Sequence, residues 1–162
     1  MNIFATHDDP IIAANYLDDK RANKMLLEST QLLCTAINYH AGKEIAPYKS
    51  THVNHPCAVW VRENDSNWTW LYAYAQALAV RFSDYKKKPH KCGYVLGKLM
   101  VYAMGILPHG ERSPFVNCAQ NSKLGIDFTN IQDVHEAYKQ YLDARWKTDV
   151  RTHTRLGVPI HE

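Results

Sequence analysis

Asp19-Lys-Arg-Ala-Asn-Lys-Met-Leu-Leu-Glu-Ser-Thr-Gln-Leu-Leu-Cys-Thr-Ala-Ile-Asn-Tyr-His40 is the stretch that decides the fold class. Ala22, Met25, Leu26, Leu33, Ala36 and Ile37 recur at threes and fours, the spacing that puts side chains on one face of an α-helix. The run predicts a long helix from Asp18 or Asp19 to about His40, closed by Gly42. At about 100° per residue, Lys20, Lys24, Glu28, Gln31, Thr35 and Asn38 form a polar stripe opposite the apolar one. A solvated face with a Lys24–Glu28 pair is one reading of that stripe. The other is a carboxylate kept ionised beside a polyanion.

Working outward, Asp9-Pro10 opens a short helix to about Leu17, with Asp at the cap and Pro in the first turn. A second long helix starts at Asp65-Ser66 and carries Trp68, Leu71, Tyr72, Ala75, Leu78, Ala79 and Phe82 along one stripe. A third runs from about Cys92 to Ile106 despite Gly93, Gly97 and Gly105, each weakening it by about 1 kcal/mol against alanine. The last spans roughly 131–150, with Val134, Tyr138, Tyr141, Leu142 and Arg145 on one side. Segments 43–63 and 107–129 read as loops long enough to be functional. No run alternates as a strand does, so the expected fold is mostly α, one compact helical domain over residues 1–162.

The chain has 162 residues, 46% hydrophobic, enough for a core without metal or disulfide staples. Four scattered cysteines, no signal peptide and no apolar run near the roughly 20 residues of a membrane span predict a cytosolic protein with reduced thiols and no membrane partner. A formal charge of +3 permits a polyanionic partner without demanding one. Positive charge gathers in Lys20-Arg21-Lys24, in Lys86-Lys87-Lys88 with Lys91 and Lys98, and between Arg145 and Arg155. Lys86, Lys87, Lys88 and Lys91 suit a phosphate-contacting corner as well as a solubilising turn.

The segment from Pro47 to Leu71 mixes Lys49, His52, Asn54, His55 and Arg62 with Trp60, Trp68 and Trp70. Packing alone asks for none of those polar side chains, so the block reads as a site. Its His52-x-x-His55-x-Cys57, with His90-x-Cys92, offers metal-ligand residue types but not the spacing of a closed zinc site. In a hydrogen-bonding loop, Pro56 fixes the backbone, Asn54 bonds internally and one imidazole faces phosphate or base. A purely loop-folding role for both histidines stands beside it. Trp68 lies on the core stripe, whereas Trp70 and Tyr74 occupy an adjoining face where exposure would allow base stacking. Nucleophile elbows, Walker loops and dinucleotide glycine patterns are missing, and no motif asks for a cofactor.

Met1 to Phe4, Asp19 to Met25 and the Thr-His-x-Asn-His-Pro-Cys-x-x-Trp-x-Arg block from Thr51 to Arg62 resemble a family of small phage-encoded proteins, a likeness that extends to Glu136-Ala137-Tyr138. By order and spacing the chain is also similar to the phage pyrimidine-dimer DNA glycosylases of the endonuclease V type. Glu28, nine residues after Asp19, takes the place of their catalytic glutamate. The resemblance implies amine attack on the sugar C1′, base loss and a Schiff base that permits strand cleavage. It implies an α-amine as nucleophile, a group that titrates near 8. Asn2 disfavours removal of the initiator, leaving the amine to Met1, and Leu27 stands where that family has arginine before its glutamate. Lys20 or Lys24 would be the other amines.

The reading is then a DNA glycosylase, with lyase activity where the Schiff base forms, acting on a damaged or modified base. Glu28, Met1 and Lys24 are its candidate catalytic residues. Lys20, Gln31, Lys49, His52, Asn54, His55, Arg62 and Trp70 would hold the substrate, and Lys86, Lys87, Lys88 and Lys91 the nucleic-acid backbone. A non-catalytic phage protein that sequesters a nucleotide or a host partner is the alternative, and a metal-dependent nuclease using His52, His55 and Cys57 a third.

Overall fold

The computed structural model describes residues 1–161. Among these, the chain forms α1 (Pro10–Tyr16), α2 (Asp19–Ala41), α3 (Pro56–Glu63), α4 (Asp65–Lys86), α5 (Lys91–Ala103) and α6 (Val134–Thr148). Two antiparallel ribbons of two residues per strand complete it, β1 (Gln120–Asn121) with β2 (Ile126–Asp127) and β3 (Thr154–Arg155) with β4 (Val158–Pro159). The domain is mostly α, as the sequence predicts. No helix among the described residues is long and apolar enough to cross a membrane.

α2 is the central element, packed against α3, α4 and α5, while α1 covers α4. Its Leu26, Leu32, Leu33 and Ile37 are fully buried, and truncating any of the leucines to alanine costs about 2–5 kcal/mol. Trp68 of α4 donates its indole N–H to Leu33 O at 3.1 Å, tying the two long helices together through a carbonyl. α2 starts where Asp18 accepts from Arg21 N and stops where Gly42 turns left-handed at φ 66°. Asp9 caps α1 by accepting from Ile11 N and Ile12 N, with Pro10 in its first turn.

Three sequence expectations change. Residues 56–63, read as loop, are the helix α3. Its cap is His55, whose Nδ1 accepts from Cys57 N at 3.1 Å, with Pro56 at the first helical position. α5 is capped in the same way, His90 Nδ1 accepting from Cys92 N at 3.1 Å. Both His-x-Cys pairs are therefore helix starts, with Cys57 and Cys92 turned into the core.

Trp70 and Tyr74 are the second change, because both are buried rather than exposed. The Trp70 ring is stacked on Tyr74 and packed edge-on against Trp60 and Phe115, and its N–H donates to Asp8 O at 2.7 Å. Helical periodicity ranks faces of one helix but does not show that the N-terminal segment and the 107–129 segment close over that face. Trp70 is thus unable to stack on a base.

Third, the end helices are shorter than their apolar patterns. α5 gives way before Gly105, which sits at φ 72°, and α6 begins only after Asp133, whose carboxylate accepts from His135 N and Glu136 N. The long 107–129 segment is pinned at its start to the α3–α4 junction. Asn64 donates to Glu111 O at 2.9 Å, and Asn67 Oδ1 accepts from Ser113 N at 2.9 Å. Its second half, ending in β1 and β2, lies beside the N-terminal segment and α6.

Candidate functional site

A cleft of about 480 Å3 opens where four parts of the chain meet, a volume suited to a ligand of nucleotide size. The N-terminal segment contributes Met1, Asn2 and Phe4, and α2 contributes Lys20, Arg21, Lys24, Met25 and Glu28. His55 and Pro56 come from the start of α3, Cys118, Gln120 and Asn121 from the long segment, and Tyr141, Arg145 and Asp149 from the end of α6. Four side-chain cations face two carboxylates, before the Met1 amino group is added. The cleft is cationic and suited to an anionic ligand.

Glu28 sits on the α2 wall with its side chain 14% exposed. One oxygen, Oε1, lies 3.6 Å from Lys24 Nζ, while Oε2 is buried without a hydrogen-bond partner among the described residues. Thr6, Ser29 and Tyr74 also carry a buried side-chain oxygen without a partner among the described residues, but of the four only Glu28 lines the cleft. Beside it His55 spends Nδ1 on its own helix cap, so the neutral ring carries its proton on Nε2. Burial, the nearby Met1 amino group and His52 push the His55 pKa down, against a smaller opposing effect of Glu28. His55 is therefore a neutral donor near pH 7 rather than a cation.

The N-terminal residues are held in place by Asn2. Its Nδ2 donates to Cys118 O at 3.1 Å, and its Oδ1 accepts from Ile3 N and from the Tyr138 hydroxyl, both at 2.9 Å. Tyr138, wholly buried, also accepts from Cys118 N at 3.1 Å and lies 2.8 Å from Val116 O. Phe4 is stacked on Tyr141 and edge-on to Tyr138, so the segment is clamped between α6 and the long loop. Cys57 Sγ donates to Asn2 Oδ1 at 3.8 Å, and the neighbouring Cys57 and Cys118 thiols lower the Cys118 pKa and raise that of Cys57.

The floor is a network of ions. Arg21 reaches Asp18 at 2.8 Å and Asp149 at 3.2 Å, and Arg145 Nε reaches Asp149 at 3.1 Å. Trp146 donates to Asp18 at 2.8 Å, and His153 Nε2 lies 2.8 Å from Asp149. Burial pushes both carboxyls up, but for Asp18 the bonds from Trp146 and Arg21, and for Asp149 those from Arg145, Arg21 and His153, prevail and hold each below its usual range. Arg21 and Arg145 are locked in position, whereas Lys20 has no carboxylate partner among the described residues.

Of the residues singled out by sequence, the cleft brings together Met1, Lys20, Lys24, Glu28 and His55. The polar stripe of α2 divides. Its first half walls the cleft, and its second half is buried beneath segment 44–51 instead of facing solvent. Asn38 donates to Glu44 at 2.7 Å and Tyr48 O at 3.1 Å, and accepts from Ile45 N and Ala46 N at 2.9 and 2.8 Å; Thr35 Oγ1 accepts from Thr51 N at 3.1 Å. Gln31 lies between the halves and does not line the cleft.

Lys49, His52, Asn54 and Arg62 do not line it either. His52 is exposed at φ 49°, bonded to Thr51 Oγ1 at 2.7 Å. Arg62 donates to Val53 O and lies 4.0 Å over the Tyr39 ring, fastening the loop to α2. His52, His55 and Cys57 do not converge, and no group of three such residues able to hold a metal occurs among the described residues. Lys87 and Lys88 stand exposed on the α4–α5 turn with Lys91 at the start of α5; Lys86 alone of the four lines a cleft, a different one. Sequence reasoning did not select Arg21, Tyr141, Arg145 or Asp149. The basic run after Arg145 was visible, but its meeting with α2 spans 128 residues of chain.

Fold and cleft together define a mostly helical domain whose N-terminal segment helps wall a cationic cleft around one carboxylate. No protein-family model matches this chain, no curated protein matches it, and no solved structure matches it.

Proposed function

We propose that the chain is a DNA glycosylase with amine-dependent lyase chemistry, acting on a damaged or modified base in the cleft around Glu28. The observation that supports it most is the meeting of Glu28, with its unpartnered Oε2, the Met1 residue and the Lys20 and Lys24 ammonium groups in one cleft of nucleotide size. In this reading the Met1 amine attacks C1′ of the deoxyribose. The N-glycosidic bond breaks, its electron pair leaves with the base, and a proton delivered through the site neutralises the leaving nitrogen. Loss of the amine proton and ring opening, with a proton taken up by O4′, give an iminium; removal of a C2′ proton then breaks the C3′–O bond, and its electron pair leaves with the 3′ phosphate. Glu28 stabilises the cationic sugar and moves protons, while Lys24 pairs with the carboxylate and Lys20 meets phosphate.

Borohydride reduction of the protein on duplex DNA containing an abasic site or modified bases, followed by mass spectrometry, tests this. A stable adduct at Met1 is expected. An adduct at Lys20 or Lys24 moves the nucleophile but keeps the chemistry. Tight, salt-dependent binding with no adduct on any substrate replaces the enzyme with a protein that sequesters nucleotides.

A further inference from the structure

Lys20 also lines a second cleft, of about 390 Å3, on the other side of the first turn of α2. Its walls are Lys20 and Asn23 of α2, Phe82, Tyr85 and Lys86 at the end of α4, and the stretch from Arg151 to Thr154 leading into β3. Beneath them Arg81 is buried and paired with Asp19 at 2.9 Å. Lys20, Lys86 and Arg151 on the rim have no carboxylate partner among the described residues, so the second cleft carries uncompensated positive charge. Tyr85 is an exposed aromatic ring, and Lys86 Nζ lies 4.8 Å from its centre. The floors of the two clefts are one network: Asp149 lines the first, His153 lines the second, and they are 2.8 Å apart.

We propose that this second cleft is a nucleotide subsite next to the reactive one, so that a strand passes over Lys20 with one unit on either side. It rests on the DNA-acting reading of the first cleft. The neighbouring base lies against Tyr85 and Phe82, and its phosphate is met by Lys20, Lys86 and Arg151. Aromatic faces beside unneutralised cations are the combination with which proteins hold single strands of nucleic acid. The track also separates the basic residues by role: Lys87, Lys88 and Lys91 lie outside it and only add to long-range attraction.

The test is oligonucleotide binding by fluorescence anisotropy across a range of salt, with a 15-nucleotide strand carrying one abasic site, for the full chain and for Lys86→Ala with Arg151→Ala. The double variant is expected to bind less tightly, with a log K against log salt slope shallower by up to about 1.4, roughly 0.7 per lost phosphate contact on a single strand. Tyr85→Ala is expected to weaken the same binding roughly tenfold, the effect of one lost base–aromatic stack, with little change in slope. If the parent traps DNA but neither slope nor affinity changes in either variant, the subsite is overturned alone. If the parent neither binds nor traps this strand or the same abasic-site sequence as a duplex, the reading of the first cleft falls and the subsite falls with it.

Discussion

Glu28→Gln separates chemistry from architecture, because the structure assigns this carboxylate almost no stabilising work. Its ion pair with Lys24 spans 3.6 Å to a lysine whose side chain is 67% exposed. Such a pair contributes about 0.3–0.5 kcal/mol on a helix and less in salt. Against that small loss stands relief of a buried carboxylate oxygen with no partner, since a neutral amide is cheaper to bury than a charge. The two effects oppose each other, and the shift in thermal midpoint should remain within about 2 °C, at 2–4 °C per kcal/mol for a chain of this size. Catalysis is different. A carboxylate that moves protons and faces a cationic sugar is worth roughly 100- to 10,000-fold in rate, or about 3–5 kcal/mol of barrier. The assay is single-turnover formation of the borohydride-trapped adduct on an abasic-site duplex, run beside thermal denaturation of the same preparations. A rate within threefold of the parent, at an unchanged midpoint, refutes the assignment of Glu28. A midpoint lowered by 10 °C refutes the claim that Glu28 is dispensable for folding.

Asn38→Ala removes four hydrogen bonds from a buried side chain to segment 44–48, at roughly 1 kcal/mol each. A midpoint lower by roughly 10 °C and new proteolytic cleavage between Glu44 and Thr51 are expected; an unchanged cleavage pattern contradicts the latch. Asp18, Asp19 and Asp149 are all held below the usual carboxylate range in the folded chain. Groups with depressed folded pKa contribute stability that is fully present above the unfolded value near 4 and lost as pH falls through the folded values. Thermal midpoints should therefore be insensitive to these groups between pH 5 and 7 and decline below about pH 4, a decline that Asp18→Asn should blunt; equal acid sensitivity in the variant argues against the network. Cys118, half-buried at the cleft wall with its pKa lowered by the Cys57 thiol, should be the first cysteine alkylated by iodoacetamide near pH 7.5, and bound oligonucleotide should slow it. Burial pushes the Cys34 thiol up to about 11, and faster labelling there than at Cys118 would contradict the burial of Cys34 in the core.

What could be read from sequence depended on whether the deciding interaction was local. α2 was legible from end to end because its stripe, its opening aspartates and Gly42 all lie within the helix or beside it. Lys20, Lys24 and Glu28 were placed together for the same reason, being one turn apart. α3 was missed because its cap is a histidine, outside the Ser, Thr, Asp and Asn set that marks helix starts, and because the capping group looked like a ligand. Trp70 and the second half of the α2 stripe were misread through partners far along the chain, Asp8 and Phe115 for one and Glu44 to Thr51 for the other. Arg145 and Asp149 reach the cleft only through the docking of α6 on the start of α2, which no local pattern encodes.

The two kinds of cation in the cleft do different work, and the difference follows from what each is bonded to. Arg21 and Arg145 share Asp149, and Arg21 also holds Asp18, so their guanidinium groups are fixed and largely neutralised before any ligand arrives. They present donors of set direction at little reorganisation cost, which is how a site selects geometry. Lys20 has no carboxylate partner among the described residues, and Lys24 is mostly exposed and only loosely paired, so attraction for a polyanion falls to flexible ammonium groups whose effect salt should weaken. Glu28 stands between the two sets with one oxygen uncompensated. A hydrogen-bond donor or a positively charged ligand centre would satisfy that oxygen, while the surrounding cations would repel a ligand that was cationic throughout. A ligand anionic at its edges, with a donor or cationic centre, fits that arrangement, and this is the pattern that the proposed glycosylase reading requires.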